Sequence, residues 1–79
     1  MQSNGKFRTT DLYLTAFLEC INYQITLEDG EQGRVVFIVT DTENRKADIQ
    51  KYYNNTAQVS PKAYADSIKN LKSMLINSK

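Results

Sequence analysis

The sequence predicts a small α+β domain with the order helix, two-stranded antiparallel β-hairpin, helix, helix. Three observations carry this. The segment Asp11–Ile21, DLYLTAFLECI, is apolar on most of a helical circumference. Two strand-like runs flank a glycine-bearing turn at Asp29–Gly33. A Ser-Pro pair at Ser60 and Pro61 opens a run with helical apolar spacing. The 79 residues suffice for one domain, whose margin of stability is thin at this length.

Residues 1–8 read as a flexible polar tail and residues 9–79 as the single domain. Thr9 and Thr10 precede Asp11 and are cap candidates for the first helix. Asp11, Thr15 and Glu19 are the helix's only polar residues. They recur every fourth position, so they share one stripe roughly 80° wide at ~100° per residue. A helix apolar over the rest of its arc needs partners on most sides. Either this small chain wraps it or a second molecule helps.

Tyr23–Glu28 alternates apolar and polar residues, as a half-buried strand does. Gly30 and Gly33 can take positive φ in the turn that follows. Arg34–Thr40 is β-branched and apolar on both faces, with Val35, Phe37 and Val39 on one and Val36 and Ile38 on the other. Two strands and three helices cover both faces with difficulty. Pairing across a homodimer would solve this, as would placing the second helix on the second face.

Asp41-Thr42-Glu43 supplies a cap and an acidic first turn for a helix running to about Asn54. Its apolar residues are few: Ala47, Ile49, Tyr52 and Tyr53. Ser60 is the expected N-cap of the last helix, and Pro61 fits its first position because the missing N–H costs nothing there. Val59 and Tyr64 stand where a hydrophobic staple would place them. Tyr64, Ile68, Leu71 and Leu75 then form one stripe, and the helix should end near Asn77.

The chemistry of the chain argues against an enzyme. There is no histidine and only one cysteine, which removes the commonest general base, the usual zinc sites and a Cys–His nucleophile. No phosphate-cradling glycine motif occurs. Asp41, Glu43 and Asp48 are explained by a helix start. No cofactor, metal or small-molecule substrate is indicated. Cys20 cannot form an internal disulfide, which fits a reducing cytoplasm. No apolar run is long enough for a membrane span, and the N-terminal segment lacks the apolar core of a signal peptide.

Binding has more support. Lys62, Lys69 and Lys72 project from the last helix away from its apolar stripe, and clustered cations of this kind can contact phosphates. Arg34 and Tyr53 are candidates to assist them, Tyr53 as a stacking platform. With a net charge of only +1, any such role is local. The plain reading is a solvated helix face. The surplus apolar arc of the first helix, around Tyr13, Phe17 and Cys20, is the candidate protein interface.

Asp11–Leu18 (DLYLTAFL), Arg34–Phe37 (RVVF), Val59-Ser-Pro with Tyr64, and Ile68–Lys72 (IKNLK) together resemble a family of small bacterial and prophage proteins, a domain of unknown function. Its members carry a DLYLxAFL-like helix, a hairpin and a YxxxIKxLKxxL-like final helix. Ile38-Val39 departs from the aromatic that often recurs there. The resemblance implies a place on bacterial chromosomes, prophages or mobile elements, and it brings no activity. Two functions are therefore expected: a small nucleic-acid-binding accessory protein, or a protein-interaction module that dimerises or docks onto a larger protein.

Overall fold

A computed structural model describes residues 5–77. Its elements are β1 (Lys6–Thr9), α1 (Leu12–Cys20), β2 (Ile25–Asp29), a single 3₁₀ turn (Glu31–Gly33), β3 (Val35–Thr40), α2 (Arg45–Tyr53) and α3 (Pro61–Asn77). The sheet is three-stranded and antiparallel, in the order β1-β3-β2.

The third strand corrects the two-stranded expectation. Of the tail expected over residues 1–8, the first four lie outside the described residues, and the rest leads into β1. Phe7 pairs with Val39 and Thr9 with Phe37. Lys6 and Arg8 alternate with them on the opposite face. A four-residue strand with every other side chain charged forms because β3 offers it a free edge, not because of its own apolar content.

Asp11 is the N-cap of α1. Its Oδ1 accepts the N–H groups of Tyr13 at 3.0 Å and Leu14 at 3.1 Å. Thr9, one of the expected caps, instead accepts the Asp11 N–H on its hydroxyl at 3.0 Å. The helix ends in a left-handed residue, Asn22, at φ 79°. Asn22 N–H donates to the Glu19 carbonyl at 2.9 Å and Tyr23 N–H to that of Leu18 at 3.0 Å. This is the paired-bond ending in which Asn substitutes for the usual glycine. It takes Tyr23 out of the sheet, so β2 opens at Ile25, later than its pattern suggests.

In the hairpin turn, Gly33 has the positive φ, 76°, together with Gln32 at 59°, whereas Gly30 does not. Gly30 is needed for space: a Cβ there would lie 2.9 Å from Val36 Cγ2.

Leu14, Thr15, Ala16, Phe17 and Leu18 form an unbroken buried run in α1. Leu14, Phe17 and Leu18 pack with Val39, Phe7, Ile25, Ile49 and Tyr52, while Ala16 packs with Phe37, Leu71 and Ile68. The helix is thus wrapped by β3, α2 and α3 of its own chain. Its polar stripe is fully employed. Asp11 caps, and Thr15, 0% exposed, donates its hydroxyl to the Asp11 carbonyl at 2.7 Å. Glu19 accepts the Asn70 side-chain amide of α3 at 2.8 Å.

α2 starts at Arg45, after a turn in which Thr42 Oγ1 accepts the Asn44 N–H at 3.2 Å. Ile49 and Tyr52 join the core around α1, so α2 packs on α1 and not on the second face of the sheet. On that face Ile38 is nevertheless only 6% exposed. Arg8 pairs with Ile38 and Glu28 with Val36, and an Arg8–Glu28 ion pair at 3.1 Å spans the central strand between them. The aliphatic stems of such side chains cover apolar surface while their heads stay in water.

α3 begins as its sequence dictates. Ser60 Oγ accepts the Ala63 N–H at 3.3 Å, and Pro61 is the first helical residue. Leu71 is fully buried at the centre of its stripe.

Candidate nucleic-acid interface

The outer face of α3 is set by the stripe opposite it. With Leu71 anchored inward, helical spacing places Lys62, Lys69 and Lys72 in an arc roughly 80° wide, the first two opposite Leu71 and Lys72 on the flank. All three are exposed. Lys62 is bound to Asp66 one turn on, at 3.3 Å. Lys69 and Lys72 have no ion-pair partner among the described residues. Ile76, 74% exposed, lies in the same arc.

Arg34 and Tyr53 are not brought together. Arg34 is exposed at the start of β3 and lines a surface cleft with Thr10, Leu12, Phe37 and Leu75, near the C-terminal part of α3. Tyr53 ends α2 and sits edge-on to Tyr52 with ring centroids 5.1 Å apart. Tyr52 in turn lines a cleft with Tyr64, in the first turns of α3. Eleven residues of helix separate Tyr64 from Leu75, about 16 Å at 1.5 Å per residue. The two candidates therefore lie near opposite ends of α3, beside its inward stripe and not on the lysine arc.

The three interface candidates also diverge. Phe17 is 4% exposed, with its ring centroid 5.4 Å from that of Tyr52, so α2 covers it within this chain. This corrects its assignment to an exposed arc. Tyr13 is 52% exposed and Cys20 half-buried. The sequence did not single out the ring cluster they border. Tyr64 Oη donates to the Tyr13 carbonyl at 3.1 Å, and burial, with the neighbouring Tyr64 hydroxyl, pushes the Tyr52 phenol up to about 12. The available signal was the recurrence of tyrosine on three helices, which no single periodic stripe reveals.

A second cleft is polar. Tyr23 Oη donates to Asp48 at 2.6 Å and lies 3.0 Å from the Thr42 hydroxyl. Burial, then the bond to Asp48, raises the Tyr23 phenol. Beside it, Arg45 grips Asp41 through Nε at 2.8 Å and Nη2 at 3.3 Å, which lowers the Asp41 carboxyl. These groups satisfy one another and hold the start of α2. Among the described residues no cluster of three or more Cys, Asp or Glu could hold a metal ion. None of the described helices is long and apolar enough to cross a membrane.

A three-stranded antiparallel sheet with α1 held among β3, α2 and α3 defines a small α+β domain. The chain belongs to the family described as Domain of unknown function (DUF5659), which matches residues 4–77. Comparison with curated proteins and with solved structures finds no match.

Proposed function

We propose that this is a small non-enzymatic nucleic-acid-binding accessory protein of a bacterial chromosome, prophage or mobile element, acting in the cytoplasm. The observation that supports it is the lysine arc of α3, in which Lys69 and Lys72 have no ion-pair partner among the described residues. Lys62, Lys69 and Lys72 contact phosphates, with Arg34 or Tyr53 helping from the neighbouring clefts. Three phosphate contacts on a duplex give a slope of log affinity against log salt of about −2.7. The test is fluorescence anisotropy with labelled DNA and RNA at low salt. Wild type binds and follows a slope near that value, and the triple Lys→Glu variant at Lys62, Lys69 and Lys72 loses binding. Absence of binding by wild type at low salt overturns the reading.

A protein-interaction module is the second reading. It is favoured by the exposure of Tyr13, Tyr53 and Ile76, large apolar groups left on the surface of so small a chain. Light scattering separates it: a dimer, or a stable complex with a larger protein, supports it, and a strict monomer without nucleic-acid-independent partners counts against it.

A further inference from the structure

The two edges of the sheet differ, and the hydrogen-bond ladders say how. In an antiparallel ladder every second residue exchanges both its bonds with the partner strand, and the others turn their N–H and C=O groups outward. Gly30 N–H donates to the Arg34 carbonyl at 2.6 Å, and Thr40 N–H donates to that of Gln24 at 3.0 Å. Both pairs continue the β2–β3 register. Gln24, Thr26, Glu28 and Gly30 therefore bond inward, while Ile25, Leu27 and Asp29 present their backbone groups at the open edge. On the far side, Asp41 N–H donates to the Gly5 carbonyl at 3.3 Å and continues the β1–β3 register. The outward residues of β1 are therefore Lys6 and Arg8.

Natural sheets guard their edges with lysines, prolines, bulges or very short strands. Both outward residues of β1 are cations, so antiparallel pairing of β1 with a copy of itself would set Lys6 against Arg8. β2 carries no such guard. Its five residues include no Pro, Lys or Arg, and its register with β3 runs unbroken. The β2 edge is also self-complementary. Antiparallel pairing of β2 with itself, centred on Leu27, sets Leu27 against its own counterpart, Ile25 against Asp29 and Thr26 against Glu28. No acid then faces an acid, and every outward N–H meets an outward C=O. A parallel pairing in register would instead bring Glu28 and Asp29 beside their counterparts. Leu27 is half-buried beside the cluster of Ala16, Phe37 and Leu71, and its counterpart would cover more of it. Pairing β1 of one copy with β2 of the next would leave an edge free at each end and propagate.

We infer that the β2 edge is a dimer interface, at which β2 pairs antiparallel with β2 of a second copy about Leu27 and the two sheets become one of six strands. This rests on the interaction-module reading above and gives that module its partner and its surface.

The experiment combines sedimentation equilibrium with directed cross-linking. Wild type sediments at twice the monomer mass. In a Cys20→Ser background, Thr26→Cys chains mixed with Glu28→Cys chains form a mixed disulfide on mild oxidation, because directly opposed residues that do not exchange hydrogen bonds lie about 4.5 Å apart at Cα. Either chain alone cross-links several-fold less. Both positions are exposed, so neither substitution disturbs the core. Leu27→Pro removes an N–H that takes no part in the β2–β3 ladder, and it weakens dimerisation about tenfold or more through the two inter-chain hydrogen bonds lost per dimer. A strictly monomeric wild type overturns the inference. So does a wild-type dimer whose Thr26→Cys and Glu28→Cys chains fail to cross-link, and in that case the interaction-module reading survives with its interface elsewhere.

Discussion

α1 and α2 have the same length, nine residues each, and opposite environments. α1 buries five consecutive residues, and α2 buries none completely. α1 is held by packing on most sides. α2 is held by two side chains, Ile49 and Tyr52, and by a polar clasp at its start, where Asp41 grips Arg45 and Tyr23 grips Asp48. The Arg45 guanidinium also lies 4.7 Å from the centre of the Phe7 ring. One helix is thus part of the domain's core, and the other is fastened to it. Stability therefore rests on α1, and local opening belongs to α2.

The sharpest test of that contrast is Leu18→Ala. Leu18 is completely buried, and truncation there should cost about 3 kcal/mol, read as a fall in both Tm and urea midpoint. A cost below about 1 kcal/mol would mean that α1 is not the core. An intermediate effect is expected at alkaline pH. The Tyr52 phenol is raised from 10.0 to about 12, so folding favours its neutral form. The corresponding stability is intact below pH 10 and is lost as pH rises toward 12. Tyr23, also raised, acts in the same direction. Tyr52→Phe should flatten the decline in Tm across that window, and an unchanged decline would remove Tyr52 from the account. The smallest effect should come from Arg45→Ala. A partly exposed ion pair contributes about 1 kcal/mol or less. Its signature is faster amide exchange in α2 with α1 unaffected. Asp41, held below its ordinary 3.8, stabilises above that pH, and its contribution fades as the solution is acidified.

The same contrast explains what was legible in the sequence. α1 was readable because its apolar arc is dense, and the demand for wrapping on most sides is met within the chain. α3 was readable because Ser60, Pro61 and the Tyr64–Leu75 stripe are local signals. β1 was not, because four residues with one large apolar side chain, Phe7, carry little pattern. What selects them is the free edge of β3, which is thirty residues away in sequence. Asp11 displaced the expected threonine caps for a similar reason, since Thr9 already belongs to β1. The lysine arc could be placed from spacing alone. The ring cluster could not, because Tyr13, Tyr52 and Tyr64 come from three helices and meet only in three dimensions. That Phe17 is covered by Tyr52 follows from the same meeting.

The wrapping of α1 has a consequence for how the protein is made. Its principal covers, β3, α2 and α3, are all encoded after it, so this largely apolar helix leaves the ribosome before them and waits. β1 waits with it, because β3, its partner strand among the described residues, has yet to be synthesised. The seventeen residues of α3 bring Leu71 against Ala16 and Phe37 and finish the enclosure last. Nascent chains of this protein therefore carry their hydrophobic burden until α3 emerges, and products halted before Pro61 would present it to chaperones and proteases.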